Sequence, residues 1–265
     1  MANVSGLNIL SPRYPLKGRP MDARELDKIG AKGPLREFLA RLSYPDQYFK
    51  VHEFDEDTIN ADYWALANSG GTSAADFAVM ATTVQCGTIQ GDTGTTDNGS
   101  ISLVGPLIFK GDQNAGMHVR LKVDAVTGYN LEVGFIDAVP GSNGSGVSDV
   151  DTPAATATDA ALLQIDTDQT LATLAFVTAG TSFTTTSTTL TTPITVLSAA
   201  TYADVRIQLV ANTAYCWVNG VLAASHTGSK IEGGTAVAPW IYARTRNTTA
   251  KFVDVDYIAL WQDRV

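Results

Sequence analysis

Apolar residues recur with two different periods along this chain, and the change falls near residue 50. Before it, Leu35, Phe38, Leu39 and Leu42 stand at i, i+3, i+4 and i+7, with Arg36, Glu37 and Arg41 off the stripe. That spacing predicts an amphipathic helix over 34–43, with Pro34 at the first helical position, where its missing N–H costs nothing. So short a helix is marginal alone, and its stripe needs a surface, on this domain or on another molecule.

After residue 50 the period becomes two. Val119, Leu121, Val123 and Ala125 alternate with Arg120, Lys122 and Asp124, and past Thr127-Gly128 the pattern resumes as Tyr129, Leu131, Val133 and Phe135. These two runs read as an antiparallel hairpin. Val205, Ile207 and Leu209 alternate with Arg206 and Gln208. The run 214–218 meets Val221-Leu222 across Asn219-Gly220, a pair suited to the positive φ angles of a tight hairpin turn. A last strand over 251–261 is expected to place Val253, Val255, Tyr257, Ala259 and Trp261 on one face. The stretches 87–100, 140–158 and 181–192 read as loops.

No helical period appears after residue 60. Ten to fourteen strands without helices between them predict an all-β protein, an antiparallel two-sheet sandwich or jelly roll. An up-and-down barrel fits less well, because the loops differ so much in length. A propeller needs a repeat of about 40 residues, which the chain lacks.

Composition sharpens the division. The chain has 265 residues, 45% hydrophobic and 17% charged, enough to build a core in one large β domain. Its net charge of −9 is uneven: residues 1–50 hold nine Lys/Arg and five Asp/Glu, the remainder nine and twenty-two. Residues 1–50 contain no threonine, against thirty-two afterwards, and carry Pro12, Pro15, Pro20, Pro34 and Pro45. Proline fixes φ and removes a donor, so residues 1–50 read as an extended arm with one short helix, and 51–265 as the sandwich. The acids among the arm's bases argue against a nucleic-acid partner. No apolar run reaches the roughly 18 residues of a membrane span, and the first residues lack a secretory pattern, so folding in a cytoplasm is expected.

Candidate chemistry is sparse. Cys86 and Cys216 have no metal spacing and read as buried free thiols. His52, His118 and His226 form neither a metal motif nor a triad. Asp254 and Asp256 lie about 7 Å apart on one strand face, a spacing compatible with a glycosidase pair; they are expected to face solvent beside Arg244 and Arg246. Glu53, Asp55, Glu56 and Asp57 read as a solvated junction. Asp149 and Asp151 offer oxygen ligands for calcium without the spacing of a calcium loop. Trp64, Trp217, Trp240 and Trp261 sit in strand-like runs, which favours packing over an open sugar platform. No catalytic residue, metal or cofactor is assigned.

The run from His52-Glu53-Phe54-Asp55 to Tyr63-Trp64, the middle 118–139, Val218-Asn219-Gly220, Pro239-Trp240-Ile241 and Val255-Asp256-Tyr257-Ile258-Ala259-Leu260 together resemble the concanavalin A-like lectin/glucanase jelly roll, in the version found in virion structural proteins of tailed phages. The resemblance covers about 51–264. It implies a capsid cement or decoration protein on the virion surface, assembled in the host cytoplasm, not an enzyme. The arm, about 165 Å if fully extended, would clamp the major capsid protein through Arg13, Lys17, Arg19 and the stripe Leu35, Phe38, Leu39 and Leu42. A homo-oligomer, first of all a trimer, would bury the leftover strand faces. The alternative is a head-fibre, tail or baseplate component that binds a host cell-surface glycan. A polysaccharide-cleaving enzyme is the third reading. Glucanases of this fold carry an E-x-D-x-x-E strand; here Glu53 and Asp55 begin it, but Thr58 stands where the second Glu belongs.

Overall fold

The computed structural model describes residues 47–55, 58–69, 76–80, 87–138, 145–146, 157–167, 174–190 and 201–264. The helix expected over 34–43, the arm residues Arg13, Lys17, Arg19, Leu35, Phe38, Leu39 and Leu42, and Cys86, Asp149 and Asp151 lie outside them.

The described residues form fifteen strands. The first five are β1 (Gln47–His52), β2 (Ala65–Ser69), β3 (Asp76–Val79), β4 (Ile89–Asp92) and β5 (Ser100–Val104). A single 3-10 turn, Gly111–Gln113, separates them from β6 (Gly116–Val123), β7 (Tyr129–Ile136), β8 (Ala160–Asp166), β9 (Ala175–Gly180) and β10 (Phe183–Thr189). Then come β11 (Ala203–Val210), β12 (Thr213–Val218), β13 (Val221–His226), β14 (Ala238–Thr245) and β15 (Phe252–Asp263).

Two antiparallel sheets result. One runs β13-β12-β11-β6-β15-β4-β3, with β1 on the C-terminal half of the long β15; the other runs β10-β9-β8-β7-β14-β5-β2. The all-β sandwich expected from the period-two pattern is what forms. Val119, Leu121, Val205, Ile207 and Leu209 from one sheet meet Leu131, Val133, Phe135, Ile241 and Ala243 from the other in a single core. Cys216 is a free thiol in that core, and burial pushes its pKa up.

Four local expectations change. The runs at 118–126 and 129–135 do not form a hairpin: β6 pairs with β11 and β15, whereas β7 pairs with β8 and β14 in the opposite sheet. β6 ends at Val123, so residues 124–128 are free to cross between layers. Five extended residues reach about 16 Å, more than the roughly 10 Å between packed sheets. The loops expected over 87–100 and 181–192 each contain a strand, β4 and β10; threonine's branched Cβ suits an edge strand. In β15 the register slips between Val255 and Tyr257, a bulge at Asp256. Val253 and Val255 face the core before it and Ile258 and Leu260 after it, so the single face expected for 253–261 is split. The Asn219-Gly220 turn does form, with φ of 49° and 78°, and joins β12 to β13.

His226 ties the sheets at one margin. Its Nδ1 is 2.8 Å from the Thr178 hydroxyl on β9 and its Nε2 2.9 Å from the Thr188 hydroxyl on β10. Burial, then Lys230, lowers its pKa from 6.5 to about 4. His52 is lowered to about 4 by burial and then Lys50. A histidine with a depressed folded pKa binds its proton more readily when unfolded. Its contribution is therefore complete above 6.5, the unfolded value, and is lost as pH falls toward 4. The melting temperature is expected to fall across that interval and His226→Gln to flatten the slope; a slope unchanged by His226→Gln would contradict the assignment.

Candidate functional site

The outer face of the seven-stranded sheet carries side chains that an exposed strand face does not explain. Along β7, Tyr129, Leu131, Val133 and Phe135 point into the core, which turns Asn130, Glu132, Gly134 and Ile136 outward. Glu132 is fully buried there. A buried carboxylate needs partners, and the register supplies them. Gln164 on β8 stands directly opposite, its Nε2 donating to Oε1 at 3.2 Å. On the other side Trp240 pairs with Gly134, and Trp240 Nε1 donates to Glu132 Oε2 at 3.0 Å. The Gly146 N–H donates to the same oxygen at 2.6 Å.

The Trp240 and Tyr242 rings stack beside this carboxylate, centroids 5.5 Å apart and planes 9° apart. Tyr242 is pushed up to about 12, burial being the main cause. Toward one end of the face, Asp166 on β8 takes hydrogen bonds from Asn130 Nδ2 at 3.1 Å and from Arg246 through both Nε, at 3.0 Å, and Nη2. Toward the other end the face turns apolar, with Ile136, Ala160, Leu162, Val177 and Ala238 in a second cluster that includes Trp240 and Tyr242.

A cleft of about 150 Å³ lies where β1 ends. His52, Glu53, Asp55 and Trp64 line it. Glu53 and Asp55, read from the sequence as a solvated junction, are exposed, but an aromatic group of His52, Tyr63 and Trp64 stands beside them. Glu56 and Asp57 lie outside the described residues.

Asp254 and Asp256 lie on the outer face of β15, before and at the register slip, each neutralised by a base of the neighbouring strand β6. Asp254 accepts from Gln90 Nε2 at 2.7 Å and pairs with Lys122 at 2.8 Å; Asp256 pairs with Arg120 at 2.8 Å. Their partners are therefore on β6 and β4, not Arg244 and Arg246, which belong to the other side of the sandwich. His118 and Asp204 both meet the Tyr257 hydroxyl, at 3.1 and 3.0 Å. Of the tryptophans, Trp64, Trp240 and Trp261 are buried, as packing requires, and Trp217 is half-buried. Among the described residues no group of three or more His, Cys, Asp and Glu side chains is placed to hold a metal ion.

The sequence reading did not single out Glu132. The signal available was a lone acid in the middle of YNLEVGFI, a run otherwise suited to a central strand.

The chain matches no protein-family model and no curated protein. Solved structures do resemble it. LamA of Zobellia galactanivorans, in complex with laminaritriose and laminaritetraose, superposes with a TM-score of 0.58 at 13% identity, over 80% of this chain and 98% of that one. SCLam, a non-specific endo-β-1,3(4)-glucanase of glycoside hydrolase family 16, gives 0.54 at 11% identity, over 83% and 92%. The carbohydrate recognition domain of Emp47p gives 0.54 at 12%, over 82% and 96%. The fold is a concanavalin A-like jelly roll. The expectation that the chain is not an enzyme is overturned by this comparison, because the jelly roll it shares with SCLam is that of an endo-glucanase. None of these three neighbours is a virion protein, so the phage part of the resemblance gains no support from them.

Proposed function

We propose that the protein is a carbohydrate-active jelly roll that takes a glycan on the outer face of its seven-stranded sheet. One observation carries this reading: a carboxylate, an amide and a stacked indole–phenol pair converge at the centre of that face, as Glu132, Gln164, Trp240 and Tyr242. A sugar ring presents apolar C–H faces and a rim of hydroxyls. Trp240 and Tyr242 are 1% and 2% exposed, so their rings meet the faces, and the carboxylate and amide the hydroxyls, once the ligand has displaced Gly146 from Glu132. Gly146 N–H holds one place on Glu132. A sugar hydroxyl that replaces it exchanges one donor for another, so the buried carboxylate is never left unpaired. The resemblance to a carbohydrate recognition domain and to an endo-glucanase supports the same class of ligand.

A hydrolytic version of this reading is favoured by the second carboxylate on the face. Glu132 faces Gln164 and Asn130 faces Asp166, which makes Glu132 and Asp166 diagonal neighbours. Such positions lie about 7–8 Å apart, within the roughly 6.5–9.5 Å that inverting glycosidases place between their carboxyl groups. Asp166 is ion-paired with Arg246, while Glu132 accepts from Gly146, Trp240 and Gln164, so the two carboxyl groups sit in different surroundings.

The test is a panel of soluble polysaccharides, β-1,3-glucan, β-1,4-glucan and mannan, scored for retention of the protein and for release of reducing ends. At least one is expected to retain the wild type. Retention of none, with no reducing ends released, would overturn the reading. A virion role, with residues 1–50 as a strap and the major capsid protein as partner, has its support in the sequence pattern alone.

A further inference from the structure

We infer that the cleft at the end of β1 is a second binding site, for a single neutral ring bearing hydroxyl groups, separate from the face around Glu132. The local chain explains why a cleft exists. After His52 the backbone turns at Phe54, a non-glycine residue at φ 50° whose side chain is buried. A left-handed turn at such a residue costs about 1–2 kcal/mol, and buried strain of this kind is found where a site needs a shape the chain would not choose. The turn leaves Glu53 and Asp55 exposed on either side of Phe54, while Thr58 and Asn60 from the next segment line the same cleft.

The wall of the cleft is aromatic and unsatisfied. The His52 ring lies 5.1 Å from Trp64 and 4.3 Å from Tyr63. His52 Nε2 and Trp64 Nε1 are both buried without a hydrogen-bond partner, and Trp64 is only 2% exposed. Buried polar atoms in folded proteins are nearly always paired, so two orphans on one small cleft call for a ligand or an ordered water. Burial keeps the His52 ring neutral at pH 7, leaving it with one donor and one acceptor nitrogen.

Charge and size narrow the ligand. An anion would face Glu53 and Asp55. A cation would face Lys50, whose ammonium stands 5.4 Å from the centre of the Tyr63 ring. A neutral molecule with several hydroxyls is served by both signs, since carboxylates accept and the ammonium and indole donate. The volume of about 150 Å³ matches the size of cavity that holds one benzene ring. The cleft takes a single ring, and any further unit of a longer ligand would lie outside it.

The experiment is ¹H–¹⁵N NMR of the full chain, following the Trp64 indole and His52 ring signals during titration with methyl β-D-glucopyranoside, methyl α-D-mannopyranoside, tetramethylammonium and acetate. A neutral glycoside is expected to move both signals with saturation at roughly millimolar concentration. Asp55→Asn is expected to weaken that effect at least fivefold, and Glu132→Gln to leave it unchanged. Shifts produced by neither glycoside, or equally by tetramethylammonium or acetate, would overturn the inference. Loss of the effect in Glu132→Gln would also overturn it, by showing that the two sites are one. Because this site is separate, its failure leaves the reading of the Glu132 face standing, and the converse holds.

Discussion

Gly134→Ala is expected to prevent the sandwich from folding. Gly134 lies in β7, the central strand of the seven-stranded sheet, at φ 153°. A Cβ built on it would sit 2.1 Å from the carbonyl oxygen of Ala161 and 2.8 Å from the Ile207 side chain. The first contact is with backbone in the adjacent strand β8, so no side-chain rotation relieves it. Relief requires β7 and β8 to part, which breaks the ladder between Leu162 and its partners on both sides. It also disturbs the floor beneath Trp240, which pairs with Gly134 across β14. Destabilisation by about 4–5 kcal/mol or more is the expected scale, enough to unfold a domain at the lower end of the usual range of roughly 5–15 kcal/mol. The check is expression followed by circular dichroism and thermal melting. A cooperative melt within a few degrees of wild type would show that the strand spacing described here is wrong.

Arg246→Met is expected to cost about 3–5 kcal/mol, because it leaves the charge of Asp166 buried and unpaired by its guanidinium. Asp166 is fully buried, and Arg246 grips both of its oxygens, with Asn130 as the remaining donor named above. Methionine keeps most of the side chain's bulk, so the loss reports on charge more than on a cavity. The second variant, Asp166→Asn with Arg246→Met, removes both charges and should recover a large part of the loss, since the penalty belongs to the orphaned ion and not to the pair. Urea unfolding of the four proteins measures both quantities. A double variant no more stable than Arg246→Met would mean that packing, not charge, holds this corner.

How much of this was legible in the sequence follows from what each pattern can encode. Alternation reveals which side of a strand faces the core, and the inward residues Val119, Leu121, Val205, Ile207 and Leu209 are buried as the period requires. It does not reveal which sheet a strand joins. Residues 118–135 fit a hairpin and a sheet-to-sheet crossing equally well, and only the pairing of β7 with β14, more than a hundred residues away, decides between them. The bulge at Asp256 was hidden for a related reason: one extra residue reverses the facing of all that follow, so the inward set passes from Val253 and Val255 to Ile258 and Leu260. The site was less visible still. Glu53 and Asp55 stood out by their density, but the cleft beside them depends on Trp64 folding back over His52. Glu132 gave a weaker sign, and its partners Gly146, Gln164 and Trp240 come from separate parts of the chain.

Glycan recognition at Glu132 is the claim on which the functional account stands. The most direct measurement is titration calorimetry with the polysaccharide that retains the wild type, carried out on wild type and on Glu132→Gln. The amide keeps one acceptor oxygen and the volume of the side chain, so the fold is expected to survive, as a melting curve verifies. The account predicts saturable binding by the wild type and at least tenfold weaker binding by the folded variant, the loss of a charge-assisted hydrogen bond worth about 1.5–3 kcal/mol. Equal affinity in the two folded proteins would contradict it and move the glycan to another surface of the jelly roll.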